Sequence, residues 1–240
     1  MPAEAQEQAV IERVSALSID YGTARSGLRV LYHRFQNALI NGLWRRPPPP
    51  HSRLLNLGCG GVHYPGWTNA DRLNLNALLH RHHRFPDWLL DATHPWNCPN
   101  DHWEGVYSEH MLEHLPYRDA IRVLREIHRT LKPGHWLRII VPDAQLAVEF
   151  YNGRQTDSTF AQRFRYGAEA LTNLAQRWGH VSVWDAPLLT AVLREIGFES
   201  VTTVAFGQGT DETLIHDSPA RRWESLYIEA RKPGSRPTVH

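Results

Sequence analysis

Hydrophobic residues after position 50 alternate between short apolar runs and longer stretches with helical spacing. Short apolar runs separated by amphipathic helices are typical of a parallel sheet covered by helices. One predicted helix ends at Lys132-Pro133-Gly134, and a later one begins at Asp185 and ends at Gly197. The predicted strands are 53–57, 67–70, 88–90, 105–108, 136–141, 201–206 and 226–229.

Four consecutive prolines at 47–50 divide the chain. Because proline fixes φ and lacks an N–H, this run must be extended. We therefore predict an N-terminal helical arm with a proline linker over 1–50 and a main domain over 51–240. Apolar and arginine positions in 25–46 predict a basic amphipathic helix, which either packs on its own domain or lies on an anionic membrane surface. Mixed helix and loop patterns over 145–180 predict a cap-like insertion above a site.

Charge and cysteine content narrow the class of partner and the compartment. The 26 basic and 25 acidic residues leave a net charge of +1, so we expect no nucleic-acid partner. Two cysteines cannot form a disulfide framework, and they do not have the spacing of a zinc site. The first ten residues are acidic and no long apolar run is present, so we expect a cytoplasmic protein. Peripheral contact with the inner membrane face would involve 25–46.

Chemically useful residues follow the first four predicted strands, where ligands bind in open parallel sheets. Glycine-rich residues 58–61 follow the first strand and permit close approach of a ligand to the backbone. Asp71 and Asp91 end the second and third strands, and such carboxylates accept hydrogen bonds from a ribose diol or an adenine amino group. Residues 108–110 follow the fourth strand.

The glycine spacing excludes the usual phosphate-binding motifs. A dinucleotide fingerprint G-x-G-x-x-G that begins at Gly58 requires glycine where this chain has His63. The sequence G-K-[ST] of a Walker loop is absent from the chain. The pattern therefore favours a ligand that contains adenosine but no phosphate.

Three segments, 54–60, 64–71 and 106–115, resemble class I S-adenosylmethionine-dependent methyltransferases. The resemblance extends through 131–135, 141–143, 197–198 and 224–230, and covers about 53–232. The chain is most similar to small bacterial methyltransferases linked with surface-polysaccharide synthesis. The resemblance implies an α/β, Rossmann-like fold with a seven-stranded, mostly parallel sheet, helices on both faces and an antiparallel last strand.

The same resemblance implies S-adenosyl-L-methionine as the cofactor. Residues 58–60 would contact its methionine and ribose portion, Asp71 the ribose hydroxyls, and Asp91 with Ala92 the adenine. Residues 108–110 would line the floor near the sulfonium. Asn56 stands where the family usually has an acid, so its contact to the cofactor's ammonium is lost or made by an amide. The cofactor-binding residues that we expect are Asn56, Gly58, Cys59, Gly60, Asp71, Asp91, Ala92, Ser108 and Glu109.

Methyl transfer to a sugar hydroxyl requires a base, since that hydroxyl is barely acidic. His110, Asp143 and His180 are the candidate catalytic residues at the carboxyl edge of the sheet. Each has a structural alternative: His110 as a wall of the cofactor site, Asp143 as a helix cap, and His180 as a hydrogen-bonded loop residue.

We expect no metal ligands. His110 and His114 have the i, i+4 spacing of a helical metal pair, but the fold already accounts for their segment. The neighbouring arginines of His80, His82 and His83 would repel a cation.

We expect an O-methyltransferase that acts on a sugar or glycan precursor. The alternatives are a methyltransferase of a small natural product and a non-catalytic, cofactor-binding scaffold protein. The partner is then a small-molecule or glycan acceptor, while the oligomeric state stays open. Aromatic and arginine residues of the cap provide either an acceptor surface or inward packing. They are Phe150, Tyr151, Phe160, Phe164, Tyr166, Trp178, Trp184, Arg154, Arg163 and Arg165.

Overall fold

The computed structural model describes residues 3–17, 47–50, 52–72, 85–154 and 157–234. Its centre is a seven-stranded sheet with strand order β3-β2-β1-β4-β5-β7-β6. The strands are β1 Leu54–Leu57, β2 Thr68–Asp71, β3 Trp88–Leu89, β4 Trp103–Glu109, β5 Leu131–Pro142, β6 Glu199–Val204 and β7 Ser225–Arg231. Among these strands, β7 alone runs in the direction opposite to the other six. The predicted mostly parallel sheet with an antiparallel last strand is confirmed.

Six α-helices lie within the described residues. They are α1 Ala3–Ala16, α2 Tyr117–Thr130, α3 Ala144–Tyr151, α4 Ser158–Arg163, α5 Gly167–Gln176 and α6 Ala186–Ile196. Asp185 caps α6 by accepting a hydrogen bond from Leu188 N, and Gly197 ends it with φ 111°, as the sequence predicts. Helix α2 ends at Thr130, before the predicted Pro-Gly stop, because the chain enters β5 directly at Leu131.

The N-terminal helix α1 lies within the predicted helical arm, although the sequence pattern assigned the helix of that arm to 25–46 and none to this segment. It packs against α2 and α6, and its Ile11 and Val14 side chains are buried. The predicted basic helix over 25–46 lies outside the described residues. The division into an arm and a main domain stays a prediction.

The two faces of the sheet are covered differently in the described part of the chain. Helices α1, α2 and α6 share one hydrophobic core with β1, β4, β5 and β7. On the opposite face, Tyr107, Ile140 and Tyr227 pack with Trp67 and with Leu214 of the short 3₁₀ turn Glu212–Leu214. Alternate residues of one strand thus serve both cores, which explains why the central strands are apolar throughout.

None of the helices that the structure describes has the length and apolar composition of a membrane-spanning segment.

Candidate functional site

A cleft of about 380 Å³ opens at the carboxyl ends of β1, β2 and β3 and beside the loop after β4. This is the edge where ligands bind in open α/β sheets. The lining residues are Leu57, Gly58, Gly60, Asp71, Arg72, Leu90, Asp91, Ala92, Thr93, His110, Met111, His114 and Leu115. Five of the nine predicted cofactor residues therefore line a single cleft together with the predicted base His110.

The glycine-rich loop after β1 depends on its missing side chains. Gly58 and Gly60 have φ values of 73° and 52°, which favour glycine. A Cβ atom at Gly58 would overlap the side chain of Met111, so glycine also makes room for the cleft wall. The N–H groups of Gly58 and Cys59 both donate to Ala70 O, which fixes the loop to the end of β2.

Asp71 holds this loop from the end of β2. Its Oδ2 atom accepts from Gly60 N at 2.6 Å, and its Oδ1 atom accepts from Arg72 N at 2.6 Å. Burial raises the pKa of Asp71 above its ordinary value, and these two hydrogen bonds oppose the rise. A carboxylate has about four acceptor positions, so Asp71 keeps capacity for a ligand's hydroxyl groups.

Asp91 is a second buried carboxylate in the cleft, 4% exposed. Burial by itself raises its pKa, but hydrogen bonds from Thr93 and the charge of Arg72 outweigh burial, and the pKa is lower than usual. Thr93 Oγ1 donates to Asp91 Oδ1 at 2.6 Å. Ala92 O accepts from Trp96 Nε1 at 3.0 Å, which fixes the backbone next to Asp91. Asp91 is therefore a stable anion on the cleft wall.

The other four predicted cofactor residues do not line the cleft. Asn56 Nδ2 donates to Val62 O and to Asn69 Oδ1, so this amide supports the glycine loop. Burial raises the pKa of the Cys59 thiol to about 12, which keeps it protonated.

Ser108 and Glu109, the remaining two, point to different surroundings. Ser108 is buried, and its Oγ atom has no hydrogen-bond partner within the described residues. Glu109 Oε1 accepts from Ser218 N at 3.0 Å, so this carboxylate joins the segment that covers the opposite face of the sheet.

The histidine cluster, which we define as His110, Glu113, His114 and His180, adjoins the cleft. Glu113 Oε1 lies 3.2 Å from His110 Nδ1 and 4.0 Å from the Nε2 atoms of His114 and His180. Glu113 is 1% exposed. Burial lowers the pKa of His114 below its ordinary value. Two predicted bases, His110 and His180, thus meet around one buried carboxylate that the sequence pattern does not single out.

Backbone contacts hold the histidine cluster together. His110 takes φ 50°, and its N–H donates to Ile140 O. Glu113 lies in the 3₁₀ turn Leu112–His114, and its backbone carbonyl accepts from Val181 N at 2.8 Å and Ser182 N at 3.1 Å. These contacts place His180 beside Glu113 although 67 positions separate them in the chain. The spacing of His110, Glu113 and His114 was visible in the sequence, but the approach of His180 was not.

Asp143 caps α3 by accepting from Gln145 N at 2.9 Å. Burial raises its pKa, while the Gln145 hydrogen bond opposes the rise. Asp143 and His180 line a second, much smaller cavity beneath the cap and do not line the main cleft.

Six of the seven predicted aromatic residues fall into two groups, and the seventh, Trp184, is buried in the main core. Phe150, Phe160 and Phe164 pack inward around Trp223, as the packing alternative predicts. Tyr151, Tyr166 and Trp178 are exposed. A surface groove of about 180 Å³ lies on the cap side and shares residues with the small cavity below it. Its lining residues are Arg163, Asn173, Arg177, Trp178, Ala220, Arg221, Trp223 and Glu224.

Several cleft residues were missed by sequence reasoning. Arg72 and Thr93 each follow a predicted aspartate by one or two positions, and both interact with Asp91. Leu57, Leu90, Met111 and Leu115 supply apolar walls. Arg72 and Thr93 could have been found from the sequence because they are close to predicted site residues. The apolar lining residues could not, because in a sequence they resemble ordinary core residues.

Comparison with known proteins identifies a family and a fold. The sequence profile of a family described as a methyltransferase domain matches residues 31–203. No curated protein matches the chain. A SAM-dependent methyltransferase structure from Archaeoglobus fulgidus is 16% identical with a TM-score of 0.53, over 83% of this chain and 94% of that chain. A SAM-dependent methyltransferase from Thermotoga maritima is 15% identical with a TM-score of 0.46, over 84% and 92%. The CurJ carbon methyltransferase is 15% identical with a TM-score of 0.44, over 97% and 68%.

Proposed function

The chain belongs to the methyltransferase domain family and is an S-adenosylmethionine-dependent enzyme, and on this basis we propose that it methylates an oxygen atom of a sugar or glycan precursor. The observation that carries the proposal is the common cleft in which Gly58, Asp71 and Asp91 lie beside His110. In this proposal, the cofactor site and the group that accepts a proton share one cavity.

The cleft fits the cofactor in size and in chemistry. Its volume of about 380 Å³ lies within the range of about 300–1,000 Å³ that is typical of small-molecule sites. Gly58 keeps the glycine loop close to the cleft wall, because a Cβ atom there would overlap the Met111 side chain. Asp71 would accept hydrogen bonds from the ribose diol, and Asp91 with the Ala92 backbone would contact the adenine. When bound, S-adenosylmethionine supplies a methyl group on a sulfonium sulfur, which an acceptor oxygen takes by in-line displacement as the carbon–sulfur bond breaks.

His110 is the first candidate for the base because, of the three predicted bases, it is the one that lines the cleft. Its Nε2 atom is 2.8 Å from Ser225 Oγ, and its Nδ1 atom is 3.2 Å from Glu113 Oε1. A proton taken from the acceptor hydroxyl to Nδ1 would be stabilised by this carboxylate. Asp143 would position the first turn of α3, since it accepts a hydrogen bond from Gln145 N.

The acceptor would approach from the cap side. His114 lines the cleft, its ring is 5.0 Å from that of His180, and His180 lines the cavity that adjoins the surface groove. Arg163 and Arg177 in that groove lie over the rings of Trp223 and Trp178. Guanidinium groups and exposed rings together suit a glycan or an anionic sugar derivative.

The acceptor class is tested by mass spectrometry of surface glycans from the source strain, from a deletion strain, and from the deletion strain carrying His110→Gln. We expect the deletion to remove about 14 daltons per lost methyl group. The wild-type gene should restore this mass, and His110→Gln should not. Identical glycans in all strains would contradict the glycan proposal and favour a small natural product.

The assignment of Asp71 is tested by titration calorimetry with S-adenosylhomocysteine. Asp71→Asn should weaken binding by about tenfold or more, since a charged acceptor of the ribose hydroxyls is lost. Asp211→Asn is the matched control, because Asp211 also accepts from a backbone N–H, that of Thr213, and does not line the cleft. Equal binding by both variants would show that Asp71 does not contact the cofactor.

A further inference from the structure

Glu113 is a buried carboxylate among three histidines, of which His110 Nδ1 lies closest to its Oε1 atom, at 3.2 Å. Its side chain is 2% exposed. Within the described residues, neither Oε1 nor Oε2 has a hydrogen-bond partner. An ionised carboxylate without compensating contacts is costly to bury, so native proteins pair such groups or bind a cation with them.

His180 presents a lone pair to this carboxylate. Its Nδ1 atom is 2.7 Å from Leu174 O. Because a carbonyl only accepts hydrogen bonds, Nδ1 must carry the proton, and in the neutral ring the lone pair is then on Nε2. That Nε2 atom is 4.0 Å from Glu113 Oε1. Two acceptors facing each other in a buried site require a positive species between them.

His110 shows the same arrangement from the other side. Ser225 Oγ donates its single proton to Arg221 O at 2.7 Å, so the 2.8 Å contact between Ser225 Oγ and His110 Nε2 needs the proton of His110. In the neutral ring the lone pair is then on Nδ1, which lies 3.2 Å from Glu113 Oε1. The hydrogen bonds of two separate histidines thus require a positive species beside Glu113, which is either a bound cation or a proton on one of the rings.

We propose that Glu113, His114 and His180 bind one divalent transition-metal ion, in contrast to the sequence-based expectation of no metal. One ligand atom of each residue lies within 4.8 Å of the others. Two imidazoles and one carboxylate form the donor set of catalytic zinc sites and of other first-row metals, while Mg²⁺ and Ca²⁺ prefer oxygen ligands. The hydrogen bond from His180 Nδ1 to Leu174 O is the outer contact that orients a metal-binding histidine.

The geometry requires a small contraction around the ion. Metal–ligand distances of about 2.1 Å place tetrahedral ligands about 3.4 Å apart. The ligand atoms of this cluster, 4.0 Å apart for both pairs with Glu113 Oε1, would each need to move by less than about 1 Å. His114 has a side chain 38% exposed and lines the cleft, so the open coordination positions face the cleft.

The role of the metal rests on the proposed function. Three protein ligands leave positions for substrate oxygens, and two neighbouring hydroxyls of a sugar can occupy them together. A bound cation lowers the pKa of a coordinated hydroxyl and fixes its direction. The metal would therefore select acceptors with adjacent oxygen atoms, while His110 takes the proton.

Calorimetric titration of the chelator-treated, dialysed full chain with ZnCl₂ and with MnCl₂ tests the site. We expect one tight site per chain for at least one of these ions. Glu113→Gln and His180→Asn should each weaken it by more than the roughly 10–100-fold that follows loss of an outer contact. His128→Asn is the matched control, because His128 Nε2 also lacks a hydrogen-bond partner but has no place in the cluster. It should bind the metal like the wild type.

Binding of S-adenosylhomocysteine and circular dichroism of every variant separate the two proposals. Tight metal binding that Glu113→Gln abolishes, in variants that remain folded, supports the site even where no glycan methylation is found. Absence of tight binding by the wild type, or equal binding by all variants, overturns the site even where the cofactor product binds. Absence of tight binding would mean that a protonated histidine neutralises Glu113, and equal binding by all variants would mean that the metal binds elsewhere.

Discussion

Two buried ionic clusters of this molecule differ in how their charges are balanced. In the Arg138 cluster, the Arg138 guanidinium is fully buried and contacts Asp217 at 2.6 Å and Glu229 at 2.9 Å. Its Nη1 atom also donates to Gln208 O at 3.0 Å. In the histidine cluster, three imidazoles surround Glu113, yet its carboxylate oxygens lack hydrogen bonds within the described residues.

The difference separates a structural cluster from one that we propose to be functional. Arg138 bridges β5, β7 and the segment that carries Asp217, so its charge is part of the fold. The histidine cluster adjoins the cleft, and its carboxylate has no fixed cation within the described residues, only histidines that are charged when protonated. A buried charge that the protein leaves unpaired marks a place where a ligand contributes, whereas a fully paired one indicates architecture.

Removing the Arg138 charge should have the largest effect on the free energy of unfolding. Arg138→Met leaves two buried carboxylates without a partner, and we expect the free energy of unfolding to fall by about 3–5 kcal/mol. Urea denaturation measures this change. Arg231→Met is the control, because Arg231 contacts Glu199 at the same 2.6 Å but both side chains are at least 40% exposed. Its loss should be below about 1 kcal/mol. Equal losses would mean that burial does not distinguish the two pairs.

Removing the Glu113 charge should change the free energy of unfolding by a smaller amount and in the opposite direction. In the presence of a chelator, Glu113→Gln removes an unpaired buried charge, and we expect the free energy of unfolding to rise by up to about 1 kcal/mol. The same urea denaturation provides the measurement. A loss of more than about 2 kcal/mol would show that a protonated histidine already pairs with Glu113 and that the two clusters are alike.

Asp143 is intermediate between the two clusters, because its buried carboxylate accepts one hydrogen bond from a backbone N–H at the start of α3. Burial, followed by the charges of Asp185 and Glu149, raises its pKa in the folded state above the ordinary value of 3.8, against the Gln145 hydrogen bond. The protonated form is therefore favoured by folding. Its contribution to stability is present below the unfolded pKa and is lost as pH rises through the folded pKa.

Asp143→Asn tests this smallest effect, because asparagine is a comparable helix cap without the charge. We expect the stability of the wild type relative to Asp143→Asn to be greatest near pH 4 and to decline towards pH 7, as measured by urea denaturation at several pH values. A difference that is constant with pH, or that grows as pH rises, would contradict the buried environment of Asp143.

The sequence predicts most of the sheet because its strands are short apolar runs with clear ends. The glycine loop, Asp71 and Asp91 were found for the same reason: ligands of parallel sheets bind where strands end. Helix α1 was missed because its buried contacts are few and its amphipathic pattern is weak. Strand β6 ends at Val204 instead of 206, since Phe206 leaves the strand to pack on Tyr227.

Roles that depend on side-chain direction were beyond prediction. Ser108 and Glu109 are neighbours in β4, so their side chains point to opposite faces of the sheet, and neither lines the cleft. Asn56 was expected to lose its contact to the cofactor's ammonium or to make it through the amide, and it donates its amide protons to Val62 O and Asn69 Oδ1. His180 meets Glu113 through long-range backbone hydrogen bonds, which spacing along a single sequence does not reveal.

The attachment of the cap has a consequence for how such an enzyme diversifies. Val181 and Ser182 fasten the end of the cap to the backbone carbonyl of Glu113, while the groove residues on α4 and α5 lie away from the cofactor cleft. Helices α4 and α5 can therefore change sequence and length without rebuilding the glycine loop or the two carboxylates. Under the proposed function, such changes would alter the acceptor contacts, while Gly58, Asp71 and Asp91 stay in place.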